Sequence, residues 1–187
     1  LDGTRGFIND VEGYAVQIGL VIHNEAQLGV VYEPRHNRLY RAIKGQGAFL
    51  EAPDGTTTQL RVSGRDTYSE MTLVASSSLR QSLREQIVRE LGLASGSPLR
   101  SVGAKVGRVV RQEADIYVGS HPIKYWDSCG PLVVLSEAGG RWPHPGGVEL
   151  TFPSTHLMNR WSKHTCVSPP CDTHAYIMLI GRAGDTV

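Results

Sequence analysis

The sequence predicts an α/β fold of layered α+β type, an antiparallel meander followed by helices packed on a second sheet. Three observations carry this. Between Tyr14 and Leu50, short β-branched and apolar runs are separated by turn-prone residues, as consecutive strands require. Residues 79–91 hold one apolar stripe at helical spacing. Beyond Leu99, strand-like and helix-like segments alternate, as they do where helices cover a sheet.

YAVQIGLVIH (14–23) and, after Asn24-Glu25, the run Gln27 to Tyr32 predict two adjacent antiparallel strands. Arg38 to Ile43 alternates polar and apolar residues behind Glu33-Pro34-Arg35-His36-Asn37, and Gly45-Gln46-Gly47 breaks the chain before Ala48-Phe49-Leu50. The meander closes at Leu60-Arg61-Val62. The loop Ser63-Gly64-Arg65-Asp66 is the expected boundary between a first region, residues 1–66, and a second, residues 67–187.

In the second region Thr72 to Ala75 reads as a strand. Leu79, Leu83, Ile87 and Leu91 form the stripe of a helix stopped by Gly92. LRSV (99–102), KVGRVVRQE (105–113), DIYV (115–118) and DSCGPLVVLSEA (127–138) predict strand, helix, strand, helix. Gly139-Gly140 is a turn and Trp142 to Gly147 a loop.

With 187 residues, 40% hydrophobic and 20% charged, the chain has ordinary globular composition. Net charge is +1 and the basic residues are scattered singly, which leaves no electrostatic footprint for duplex nucleic acid or an anionic membrane. A small, locally bound anion is the expected partner. No apolar run approaches the roughly 20 residues of a membrane span, and Leu1-Asp2-Gly3-Thr4-Arg5 lacks a signal-peptide pattern. A soluble, cytoplasmic protein is expected. Cys129, Cys166 and Cys171 are an odd set, which argues against a disulfide framework.

Two segments hold residue types suited to phosphate chemistry. Asp2-Gly3-Thr4 offers a carboxylate, a residue without a side chain and a hydroxyl in succession. Mg²⁺ takes hard oxygen ligands, usually one or two carboxylates with phosphate and water, and glycine lets a backbone approach phosphate closely. The same tripeptide is common in plain turns. Trp126-Asp127-Ser128-Cys129-Gly130-Pro131 runs into Leu132 to Leu135 and ends Glu137-Ala138-Gly139-Gly140. Taken alone it reads as a capped helix, with Asp127 as N-cap and Pro131 in the first turn.

Taken in order, Leu1-Asp2-Gly3-Thr4, LGVVYEP (28–34), KGQGAF (44–49), Trp126 to Gly130 and Glu137 to Gly140 resemble segments of the inositol monophosphatase superfamily. The family patterns are D-P-[ILV]-D-G-T, G-V-[VI]-x-x-P, G-x-G-A-F, W-D-x-[AC]-[AG] and [EA]-A-G-G. The resemblance covers about residues 1–160. Thr4-Arg5-Gly6-Phe7-Ile8, Val74 to Ser78, Ser101 to Lys105 and Ala114 to Tyr117 are similar to the 3'(2'),5'-bisphosphate nucleotidase branch.

The resemblance implies an αβαβα sandwich and a Mg²⁺-dependent phosphomonoester hydrolase acting on adenosine 3',5'-bisphosphate or its sulfated relative. Inositol or sugar monophosphate hydrolysis is the alternative. It implies metal ligation by the Asp2 carboxylate, the Leu1 carbonyl oxygen and the Asp127 carboxylate. Asp2 and Thr4 would be catalytic, Thr4 orienting the attacking water, and the Gly3 and Thr4 amides would hold the phosphate. Ser76, Ser78 and Lys105 would face the rest of the substrate, Lys105 as a point charge for a second phosphate. A solvated helix-start lysine is the other reading of Lys105.

The family motif has an Asp and a Pro ahead of the residue matched by Leu1, with an acidic pair and a helical layer upstream. A truncated member lacking its N-terminal helical layer is therefore expected, residues 1–66 being the C-terminal part of a first domain. Such a chain would expose an apolar sheet face, be unstable or pair with another copy, and be weakly active or inactive. A fragment that only binds a phosphate ligand or partner subunit is the remaining alternative. Leu150 to Arg160 still resembles the family, 161–172 does not, and Thr173 to Ile177 resembles its closing helix only faintly. His164, Cys166, Cys171 and His174 are zinc-ligand types, but their spacing is no standard pattern and reads as incidental.

Overall fold

The computed structural model describes residues 1–119 and 123–142, and the backbone of Tyr176–Met178. Leu150 to Arg160, His164, Cys166, Cys171 and His174 lie outside the described residues. Strands β1 (Val16–Ile22), β2 (Glu25–Glu33), β3 (Arg38–Ile43), β4 (Ala48–Glu51) and β5 (Thr57–Leu60) pair antiparallel in chain order. The expected meander is present, but its last strand ends at Leu60, because the Val62 N–H donates to the Ala138 carbonyl instead. A short helix, α1 (Thr4–Ile8), precedes the sheet and had no counterpart in the sequence pattern.

Pleating divides the meander's two faces. Val31, Tyr40, Ala42 and Ala48 point into the core, whereas Val16, Ile18 and Leu20 point outward, Ile18 remaining 59% exposed. The second sheet has the order β7 (Ala94–Ser95), β6 (Thr72–Ala75), β8 (Ile116–Gly119), β9 (Tyr176–Met178). Strand β6 runs parallel to β7 and β8, and β9 is antiparallel to β8. Tyr176–Met178 is thus a strand, last in this order among the described residues, where a closing helix was faintly suggested.

The predicted strand at 99–102 is corrected: Leu99 makes only an isolated bridge with Ser76, and Val102 already opens helix α3 (Val102–Val110). The buried Ser101 hydroxyl accepts the Ala104 N–H at 3.2 Å, and this capping outweighs the β-branched local sequence.

Alternation along the second sheet serves two cores. Leu73, Ala75, Ile116 and Val118 pack with Leu79 and with Leu83, Ile87 and Leu91 of α2 (Gln81–Leu91), the predicted stripe. Gly92 ends that helix at φ 69°. Val74 and Tyr117 face the other way, into a core shared with α3, α4 (Tyr125–Glu137) and the inner face of the meander. The layers therefore run meander, α3 with α4, second sheet, α2.

Helix α4 starts earlier than expected: Lys124 is its N-cap, Asp127 sits in its first turn and Pro131 lies inside it. A proline there has no N–H to give the Asp127 carbonyl. Close backbone contact seats this helix. Gly19 and Gly29 are cross-strand partners, and a Cβ on Gly29 would come within 2.1 Å of the Gly130 carbonyl oxygen. Only residues without a side chain allow helix and strand to meet so closely.

Candidate active site

Asp2 is held first through its backbone, which exchanges hydrogen bonds of 2.8 and 2.9 Å with Ala15. That bridge turns the side chain onto the start of α3. Its Oδ2 accepts the Val102 N–H at 2.5 Å and Gln17 Nε2 at 2.6 Å. An unmet first-turn N–H and the positive helix end both favour a carboxylate there. Gln17 Oε1 is buried without a hydrogen-bond partner. Gln17 belongs to none of the motifs. The only hint was one amide interrupting the apolar run of β1.

Asp127, half-buried in the first turn of α4, shares this neighbourhood. Burial and then the Asp2 charge raise its carboxyl above the usual range. Both carboxylates also act on Lys105 and Tyr117. Lys105 is 1% exposed; its Nζ donates to the Arg100 carbonyl at 3.0 Å and lies 4.6 Å from the Tyr117 ring centre. Burial lowers its ammonium to about 8, with Asp2 and Asp127 opposing the shift. Burial foremost, then the same two carboxylates, push the Tyr117 hydroxyl upward. Lys105 is therefore not a solvated lysine but an interior cation near two acids.

Ser76 and Ser78 stand just past β6, their hydroxyls 2.8 Å apart. Ser76 bridges Leu99, whose successor Arg100 receives the Lys105 ammonium. Leu1 and Thr4 flank Asp2 in the chain, both exposed, with Thr4 opening α1 after Gly3 at φ 82°. Glu137 has a separate role: its carboxylate accepts the Gly45 and Gly47 N–H groups at 2.8 and 2.7 Å. The end of α4 thereby fastens the β3–β4 turn.

Among the described residues, no group of three or more His, Cys, Asp or Glu forms a metal cluster. Asp2 and Asp127 are nonetheless of the donor type that Mg²⁺ takes, one or two carboxylates with phosphate and water completing its shell. The repulsion that Asp2 exerts on Asp127 is what a divalent cation would relieve.

The family model described as "Inositol monophosphatase family" matches residues 1–168. The chain belongs to the inositol monophosphatase family. Among family relatives, it is 29% identical over 164 residues to inositol monophosphatase of Mesembryanthemum crystallinum, covering 84% of the chain and 59% of that protein. Identity to the fructose-1,6-bisphosphatase/inositol-1-monophosphatase of Aquifex aeolicus is 32% over 146 residues, covering 75% and 53%. The fold matches the solved Thermotoga maritima IMPase at a TM-score of 0.68 and 25% identity, covering 79% of this chain and 56% of that one. The chain spans a little over half the length of these relatives.

Proposed function

We propose that the protein carrying this chain is a Mg²⁺-dependent phosphomonoester hydrolase. The observation that supports this most is that Asp2 and Asp127, far apart in sequence, meet in one neighbourhood, Asp2 acting on Asp127 and both acting on the buried Lys105. Asp2, Asp127 and the Leu1 carbonyl would hold the metal. Gln17 and the first N–H of α3 keep Asp2 in one orientation through Oδ2, and neither bond uses Oδ1. Mg²⁺ supplies charge neutralisation at the phosphate and lowers the pKa of a water. The Thr4 hydroxyl would orient that water, while the Gly3 and Thr4 amides would steady the phosphate. Ser76 and Ser78, beyond the carboxyl end of a parallel strand, stand where such sheets take ligands. They would meet the rest of the substrate.

An inositol or sugar monophosphate is the favoured substrate class, since both curated relatives above carry inositol monophosphatase in their names. Adenosine 3',5'-bisphosphate is the second reading, because Lys105 places an interior cation near the two carboxylates and Arg5-Gly6-Phe7 follows the nucleotidase pattern. The test is kcat/KM for inositol 1-phosphate, fructose 1,6-bisphosphate and adenosine 3',5'-bisphosphate across a Mg²⁺ titration, on the whole protein and on the 187-residue chain. The best substrate decides between the readings. Absence of Mg²⁺-dependent hydrolysis of all three by both forms overturns the proposal in favour of a phosphate-binding role.

A further inference from the structure

The C-terminal half of α3 faces a cavity of about 200 Å³ between that helix, the β2–β3 connection and the segment before β1. Four arginines line it, Arg35, Arg38, Arg108 and Arg111, against the carboxylates Glu12, Glu33 and Glu113. Their engagement is unequal. Arg111 is committed: it grips Glu113 through two bonds of 2.8 Å, reaches Glu33 at 3.2 Å and lies over the Tyr40 ring. Arg35 bonds Asp10 at 2.5 Å. By contrast, among the described residues Arg38 pairs with Glu33 only at 3.9 Å and Arg108 with Glu12 only at 3.8 Å, and Arg108 has a long 3.5 Å contact to the Ser97 carbonyl. Both distances exceed a hydrogen bond, so the forks of these two guanidinium groups are not matched to a carboxylate.

Arg38 comes from the start of β3 and Arg108 from α3, so the pair reaches the cavity from different elements. A guanidinium presents a planar fork that matches carboxylate or phosphate oxygens. We propose that this cavity is a binding site for a small oxyanion, a phosphate or a carboxylate, held between Arg38 and Arg108 and separate from the Asp2–Asp127 site. Arg111, held between Glu33 and Glu113, forms its floor, and an incoming oxyanion would draw Arg38 from its 3.9 Å approach to Glu33 and Arg108 from its 3.8 Å approach to Glu12. This site needs neither Mg²⁺ nor the hydrolase reading.

The test is calorimetric titration of the whole 187-residue chain with inorganic phosphate and, separately, citrate, in EDTA at constant ionic strength. The same titrations are run on Arg38→Gln/Arg108→Gln and on Asp2→Asn/Asp127→Asn, each checked for unchanged circular dichroism and Tm. Expected is binding of at least one anion that the arginine pair variant weakens about tenfold or more, on the scale of one lost charge-assisted contact, and that the aspartate pair variant retains. Whichever anion binds identifies the oxyanion class. Binding of neither anion, or equal binding by a folded arginine variant, overturns the proposal. Should the arginine variant not fold, Arg38→Lys/Arg108→Lys keeps the charge and loses the fork; undiminished binding by that variant overturns it as well.

Discussion

The two ends of α3 hold charge in opposite ways. At its N-terminal end, Asp2 caps the helix, Asp127 approaches from α4, and one buried ammonium, Lys105, stands near both. At its C-terminal end, Arg111 is gripped by Glu113 and Glu33, and Glu33 also accepts the Tyr40 hydroxyl at 2.9 Å. Both arrangements suit the helix dipole, acid at the start and base at the end. The difference lies in who completes the pairing. Glu33, Arg111 and Tyr40 complete one another, as a structural network should. Asp127 instead carries a carboxyl raised by burial and by the Asp2 charge, which suits the proposed metal site.

The sharpest way to break this contrast is Asp127→Asn. If the N-terminal end serves a metal, the substitution should lower Mg²⁺-dependent hydrolysis by the whole protein by about 100-fold or more, beyond what even outer-shell changes cost. Steady-state assays over a Mg²⁺ titration would show it. Activity unaffected by this change would remove the functional half of the comparison.

Glu33→Ala attacks the other end. It strands the Tyr40 hydroxyl and leaves Arg111 with Glu113 alone, which should cost about 3 kcal/mol in urea unfolding, while kcat of the folded fraction changes little. A large kcat loss at unchanged stability would mean that the two ends are not separate in role.

Gly29→Ala sharpens the comparison by moving α4, the carrier of Asp127, without touching a charge. Its Cβ would meet the Gly130 carbonyl at 2.1 Å, so the helix must shift, at about 1–3 kcal/mol for overpacking. Both stability and Mg²⁺ affinity should fall, since the distance between the two carboxylates depends on that seat.

The smallest expected effect concerns pH. Burial, partly offset by Arg111, raises the Glu33 carboxyl above 4.5, so the folded state holds this proton more tightly than the unfolded chain does. Its stabilising contribution is full below pH 4.5 and is lost as pH rises through the raised value. Glu113, held down chiefly by its Arg111 hydrogen bonds, does the opposite: its contribution is present above pH 4.5 and is lost as pH falls through the lowered value. Urea unfolding from about pH 3 to 6 should show Glu33→Gln flattening the decline above 4.5 and Glu113→Gln flattening the fall below it. Wild-type slopes in both variants would show that neither carboxyl titrates differently in the folded and unfolded states.

Much of this architecture was legible before any coordinates. Strand runs with period two, the stripe of α2 with its glycine stop, and the two acidic motifs are local patterns, and local patterns follow from backbone sterics, propensity and burial period. What misled were places where capping competes with propensity. LRSV looks like a strand, but Ser101 caps a helix; Asp127 looks like an N-cap, but Lys124, three residues earlier, takes that position and Asp127 sits in the first turn.

By itself, then, the sequence determined the fold class, most of the meander, the helix of residues 81–91 and the family, and it singled out the two carboxylates now proposed for the metal. Only the tertiary structure decided that Asp2 would cap α3, that Gln17 would hold it there, and that Lys105 would be interior rather than solvated. It also decided that a glycine pair on β1 and β2 would admit α4 and that Arg111 would bond its carboxylates closely while Arg38 and Arg108 approach theirs only at 3.9 and 3.8 Å. The physical reason is one of range. Periodicity and caps act over a few residues and can be read along the chain, whereas desolvation, charge pairing and close backbone contact depend on which distant segments the packed core brings together.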